Sequence, residues 1–232
     1  MRRDALAGPD PDFPYLTEDE RVTFPDPAKK SSWIIAIGGN LSPGMLLSAY
    51  EQGIFPWYGP DDPIIWQSPD PRLVIYPHTL HVSESMRKIL RRQVFTITFD
   101  KDFEGVIRGC AEIERPGQDG TWISEDIIKA YTELHRLGYA HSAEAWQDGK
   151  LVGGCYGLII GRVFCGESMF ARVSNASKAA FLSWAQYLFS RGCAFIDCQV
   201  TTEHLVSLGG VEISREEFLA QLAVARKGKL DI

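Results

Sequence analysis

Between Ile54 and Arg72 the chain reads IFPWYGPDDPIIWQSPDPR, and Pro56, Pro60, Pro63, Pro69 and Pro71 leave no room in it for a helix. Proline offers no backbone N–H and pushes the residue before it out of the helical region. The segment is expected to be a rigid loop or linker, with a domain boundary near Ser68. Residues 1–68 then form a small N-terminal domain and residues 69–232 a larger one. The chain, 232 residues long, can hold one sizeable core or a small domain attached to a larger one.

The two sides of this divide differ in pattern. Residues 1–30 are rich in Pro, Asp and Gly and are expected to form a loose arm. Trp33–Ile37 reads as a short apolar strand. Ser42-Pro43 opens a helix as N-cap and first-turn proline, and Gly53 closes it. Beyond the linker, Val94–Phe99 reads as a strand and Lys101–Glu112 as a helix. A second helix starts at the Ser124 cap, with Glu125 and Asp126 in its first turn, and ends at Gly138. His141–Trp146 and Leu151–Ile160 flank Asp148-Gly149, a hairpin signal. Arg162–Ser168 is a further strand, Asn175–Ser190 an apolar helix and Ala194–Val200 a strand, with two short helices after it. Hairpins mixed with long helices predict an α/β or α+β fold on a single sheet.

Composition excludes several classes. The apolar share of 45% and charged share of 23% are those of a water-soluble globular protein. No apolar run approaches the ~20 residues needed to span a bilayer. The first residues, MRRDALAGPDPDFPYL, lack the apolar stretch of a secretory signal. Cys110, Cys155, Cys165, Cys193 and Cys198 form no CxxC pair, and the histidines show no metal-ligand spacing. They read as reduced packing thiols of a cytoplasmic protein, with no metal expected. A net charge of −6 argues weakly against nucleic-acid binding, although a local basic face can outweigh the sum.

Four groups of residues could carry chemistry. In FIDCQV, Asp197 and Gln199 fall on one face of a strand; an acid there needs a compensating partner, and taken alone it reads first as a hydrogen-bonded structural aspartate near a strand end. In FCGESMF, Glu167 sits among aromatic and sulfur side chains. Period-two alternation groups it with Cys165 and Met169 and turns Phe164, Ser168 and Phe170 the other way, unless a bulge near Gly166 intervenes. It is either a carboxylate poised beside an apolar pocket or a charge at the rim of a core strand. Trp57, Tyr58, Trp66 and Trp122 are stacking platforms for bases or plugs of small cores. In SESMRKILRRQ, helical spacing gathers Arg87, Lys88, Arg91 and Arg92 into one basic quarter-face, suited to RNA phosphates or simply to solvent.

These segments together resemble the leucyl/phenylalanyl-tRNA–protein transferase family. The matching stretches are IGGNLSPGMLLSAYEQGIFPWY, WQSPDPR, GTWI, YAHSAEAW, LVGGCYG, VFCGESMFARVSNASK and FIDCQVTTEHLVSLGG, in family order across most of residues 35–215. The resemblance implies a small N-terminal domain on a GNAT-like acyltransferase domain. It implies transfer of Leu, Phe or Met from aminoacyl-tRNA to the N-terminal amine of proteins beginning with Arg or Lys, which marks them for degradation by the N-degron route. No cofactor or metal is implied, nor a membrane, and the enzyme is expected to work as a cytoplasmic monomer.

On this reading Asp197 and Gln199 align the attacking amine, with Asp197 fixing or polarising the Gln199 amide. Glu167 holds the acceptor's cationic side chain. Phe164, Met169, Phe170, Ile196 and Cys155 accept the donor side chain, and Trp57 and Trp122 flank the terminal adenosine or shape the pocket. Arg87, Lys88, Arg91 and Arg92 grip the tRNA. The chain departs from the family pattern at Asn40 (for Asp), Gln67 (for Trp), Cys155 (for Met or Leu), Glu84 (for a basic residue) and Gly210 (for Ala). Two rivals remain. A CoA-dependent acetyltransferase would need a Gly-rich pyrophosphate loop, which ARVSNASKAAF lacks. A non-catalytic module binding tRNA or basic N-termini would need no Asp197 or Gln199.

Overall fold

The structure, a computed structural model, describes residues 7–113 and 121–232. Strand β1 (Ile34–Ile37), helix α1 (Pro43–Glu51) and strands β2 (Phe55–Pro56) and β3 (Ile65–Gln67) make the N-terminal part, with the strands ordered β1-β3-β2 in an antiparallel sheet. Ser42 precedes Pro43 as N-cap, yet its hydroxyl does not cap the helix. It donates instead to Asn40 Oδ1 (2.6 Å) and accepts from Leu16 N (3.1 Å). The Asn40 amide donates to the carbonyls of Phe13 and Pro14, each at 3.0 Å, so this departure from aspartate supplies donors that a carboxylate lacks.

The arm is not loose where it is described. Leu16 O accepts from Gly44 N, Val22 N donates to Ser48 Oγ, and Gln52 brackets the chain through Phe24 N and Val22 O. A Cβ on Gly44 would lie 2.3 Å from Thr17 O, so the close approach of arm to helix requires glycine there. Side-chain acceptors on α1 replace the regular structure that the arm's composition withholds. Residues 1–6 of the expected arm lie outside the described residues.

The second sheet contains β4 (Arg72–Ile75), β5 (Thr96–Phe99), β6 (Ala140–Gln147), β7 (Lys150–Ile160), β8 (Val163–Ala171), β9 (Phe195–Gln199) and β10 (Val211–Ile213). Its order is β10-β4-β9-β8-β7-β6-β5, antiparallel except for the β8–β9 pair. Helices α2 (Glu84–Arg91), α3 (Phe103–Glu112), α4 (Glu125–Arg136), α5 (Ala176–Ser190), α6 (Glu203–Ser207) and α7 (Arg215–Ala225) complete the mixed α/β fold. Asp148 (φ 52°) and Gly149 (φ 72°) make the hairpin turn their sequence predicts. Strands β2 and β3 occupy the stretch expected to be loop, pairing with each other while β3 also pairs with β1, and neither β4 nor β10 was anticipated.

Two apolar layers cover the large sheet. On one face α5 brings Trp184, Leu182 and Leu188 onto Phe164, Ile196 and Cys155. On the other, α1, α3, α4 and α7 pack over Tyr156, Cys165, Phe170 and Phe195 in a core that also holds Ile35, Phe55 and Trp66 of the small sheet. One core therefore runs from the small sheet into the large one. All five cysteines are buried and none is in a disulfide, and burial raises the pKa of Cys155, Cys165, Cys193 and Cys198. These thiols fill space and stay protonated.

Candidate active site

The parallel pairing of β8 with β9 runs from Val163–Phe195 to Cys165–Asp197. Beyond it lies a cavity of about 330 Å³, walled by Gly166–Met169 and by Ile196 and Cys198–Val200. Phe55, Trp57 and Trp122 close it from the N-terminal part and the approach to α4, and Phe181, His204 and Leu205 from α5 and α6.

The register of β7 and β8 shifts where Tyr156 pairs Ser168 and Gly157 pairs Gly166, which leaves Glu167 as the extra residue of a bulge. Upstream alternation is as expected, with Cys165 and Phe164 on opposite faces. Downstream it inverts. Met169 joins Phe164 on the cavity side, and Phe170 turns into the core over Gly109, where a Cβ would touch its ring at 2.7 Å. Phe170 is therefore not a pocket residue. Trp57, Trp122, Cys155, Phe164, Met169 and Ile196 do line the cavity.

Glu167 stays on the Cys165 side. Its Oε1 accepts from Gln199 Nε2 at 2.7 Å and its Oε2 from the Tyr131 hydroxyl at 3.3 Å. With Tyr131 donating there, its oxygen is left to accept from Tyr50, 2.5 Å away. Burial raises both phenols well above their ordinary value, so they remain donors at every physiological pH. Burial also pushes the Glu167 carboxyl up to about 7, against the opposing pull of its hydrogen bonds.

Asp197 differs from its expected role. Its carboxylate accepts a two-pronged bond from Arg72, Nε to Oδ1 at 2.8 Å and Nη2 to Oδ2 at 2.7 Å, and both side chains are 1% exposed. Oδ1 also accepts the backbone N–H of Gln199 at 2.9 Å. Asp197 touches the main chain of Gln199, while the side-chain amide is held by Glu167. The cause is local: Gln199 adopts φ 63°, and Val200 N–H bonds Cys198 O at 2.8 Å in a three-residue turn. A non-glycine residue there carries roughly 1–2 kcal/mol of strain.

Sequence reasoning missed Arg72, Tyr50 and Tyr131, because their partners lie up to 125 positions away. It also missed His204, whose Nε2 sits 3.3 Å from Met169 Sδ and whose pKa burial lowers. Gln67, a departure from the family pattern, donates to Trp57 O at 2.7 Å and steadies that wall of the cavity. Arg87, Lys88 and Arg91 on α2 and Arg92 at its C-cap are all exposed, while Met86 is buried. Glu84 lies 3.7 Å from Lys88 and offsets part of that charge.

A mixed sheet that opens beside its parallel pair onto an apolar cavity, with a carboxylate and an amide at the wall, suits transfer of an acyl group carrying an apolar side chain. The comparisons place it. Residues 39–70 match the family model for the leucyl/phenylalanyl-tRNA protein transferase N-terminal domain, and residues 74–223 the model for leucyl/phenylalanyl-tRNA protein transferase itself. The chain is 53% identical to the leucyl/phenylalanyl-tRNA–protein transferase of Anaeromyxobacter sp. (strain K) over 92% of each chain. It is also 53% identical to that of Syntrophobacter fumaroxidans over 91% of each. The chain belongs to the leucyl/phenylalanyl-tRNA–protein transferase family, and it is an aminoacyltransferase. A solved GCN5-related N-acetyltransferase from Kribbella flavida aligns at a TM-score of 0.38 and 14% identity over 75% of this chain and 62% of that one. Among the described residues, no helix is long and apolar enough to cross a membrane.

Proposed function

We propose that this enzyme moves Leu, Phe or Met from aminoacyl-tRNA onto the N-terminal amine of proteins beginning with Arg or Lys, in the cytoplasm, and so marks them for degradation. The observation that carries the reading is the Glu167–Gln199 pair, bonded at 2.7 Å on the wall of the apolar cavity. The donor side chain enters among Phe164, Met169, Ile196 and Cys155, between the indoles of Trp57 and Trp122. Such a pocket separates substrates that differ by one methylene by only about 1–3 kcal/mol, which fits a relaxed choice among these donors.

The ester is already activated. The acceptor nitrogen attacks its carbonyl carbon, a C–N bond forms, the C–O bond to the ribose breaks, and the proton lost from nitrogen ends on the leaving ribose oxygen. An α-amine of pKa about 7.7–8.0 is roughly a tenth to a fifth neutral at pH 7, so a strong base would add only about 1–1.4 kcal/mol. Holding amine and ester in attack geometry can contribute about 7–11 kcal/mol. Positioning therefore dominates. With Nε2 committed to Glu167, the Gln199 carbonyl oxygen is left to accept from the amine and orient it. Glu167 meets the acceptor's guanidinium or ammonium through a charge-assisted bond.

The test is transfer of labelled leucine from charged tRNA to peptides starting with Arg or Ala, by wild type and by Glu167→Gln. Labelling of the Arg peptide alone, weakened in the variant through acceptor KM, is expected. Equal labelling of both peptides would remove the acceptor rule, and no labelling with Leu, Phe or Met donors would remove the reaction.

A further inference from the structure

We propose that Arg72 is a positioning residue for the transfer reaction, acting through Asp197 to hold Gln199 in its left-handed turn. The inference rests on the function proposed above and concerns a residue that makes no contact with the cavity. Arg72 opens β4, yet its side chain is enclosed. Its guanidinium lies 4.3 Å from the ring centre of Phe218 on α7 and 4.9 Å from that of Phe55 on β2, and Nη1 donates to Gly53 O at 3.3 Å. Two aromatic faces and a carbonyl fix the plane of the fork. The fork in turn fixes the plane of the Asp197 carboxylate by two parallel bonds.

Asp197 accepts one further bond, donated by the Gln199 N–H. That bond holds a backbone conformation which a residue with a Cβ leaves readily. If Gln199 relaxes to the extended form, its amide swings away from Glu167 and its carbonyl leaves the cavity wall. The fully enclosed Asp197 carboxylate cannot reach a substrate atom. Its influence on the reaction runs through the main chain, and it originates in the geometry of Arg72. A lysine keeps the charge but lacks the planar fork, so Arg72→Lys separates geometry from charge.

The experiment is a double-mutant cycle on labelled-leucine transfer. Arg72→Lys in the wild-type background should lower kcat about 100-fold, the scale of a 1 Å misplacement, with KM for tRNA and peptide nearly unchanged. In a Gln199→Ala background the same substitution should change kcat by less than about threefold, because the group it positions is gone. Equal losses in both backgrounds would show a merely structural role and overturn the proposal, as would full activity of Arg72→Lys. Hydrogen exchange gives a readout independent of activity: the Gln199 amide should lose protection in Arg72→Lys while the amides of β7 keep theirs. Unchanged protection at Gln199 overturns the proposal. Absence of transfer by wild type counts against the reaction and leaves the exchange measurement to decide on Arg72. If Arg72→Lys does not fold, the neutral pair Arg72→Gln/Asp197→Asn takes its place in both measurements, with the same outcomes.

Discussion

At the scale of single residues, Glu167 has the property with the plainest consequence. Its carboxyl is raised from 4.5 to about 7 by burial, so at neutral pH it exists in both forms. A cationic acceptor side chain pairs only with the ionised form. As pH rises through about 7 the acceptor should bind more tightly and then level off. Below it, affinity should fall about tenfold per pH unit. Titration of an Arg-initiated peptide between pH 5.5 and 8.5 checks this, with Glu167→Gln as the control that should lack the step near 7. The acceptor amine titrates near 7.7–8.0, and that contribution survives in the variant, so the two are separable. A wild-type curve that matches the variant would remove Glu167 from acceptor recognition.

At the scale of elements, two bulges make the site. One puts Glu167 out of alternation in β8, and the other shifts β4 against β9 between Leu73 and Val74, opposite the Asp197–Gln199 stretch. The first bulge depends on glycine: a Cβ on Gly157 would lie 2.1 Å from Cys165 O and 2.7 Å from the Phe164 ring. Gly157→Ala should cost about 1–3 kcal/mol of stability through overpacking, and should weaken donor binding because Phe164 is displaced. Denaturant unfolding and the leucyl-tRNA KM read the two effects; an unchanged midpoint would show that β7 and β8 can part there freely. The same features explain how far the sequence was legible. The helix cap at Ser124, the Asp148-Gly149 turn and the α5 span rest on local chemistry. So does the shared face of Asp197 and Gln199. The inverted faces of Met169 and Phe170 rest on one inserted residue, which alternation cannot register. The Arg72–Asp197 clamp and the Tyr50–Tyr131 support rest on contacts between distant segments, for which no local pattern exists.

At the scale of the whole molecule, a net charge of −6 has to be reconciled with a polyanionic donor. Screening limits the conflict, because charges farther than about 8 Å from a phosphate hardly count at physiological salt. The face that meets the RNA then decides. Arg87 and Arg91 on α2 and Arg92 at its C-cap are exposed without a carboxylate partner among the described ion pairs, whereas Lys88 is offset by Glu84. If this helix grips the tRNA backbone, each arginine releases about one counterion on binding, or 0.7–0.9 in the slope of log affinity against log salt. Changing the three to glutamine should flatten that slope by about 2–3 and raise the KM for charged tRNA. The acceptor KM and the kcat at saturating tRNA should hold, because none of the three lines the cavity. Glu84→Gln should act in the opposite direction, freeing Lys88 to add to the slope. Equal salt slopes in wild type and the triple variant would place the tRNA on another face of the protein. A fall in kcat at saturating tRNA would mean instead that α2 orients the acceptor end of the RNA, and does not merely hold it.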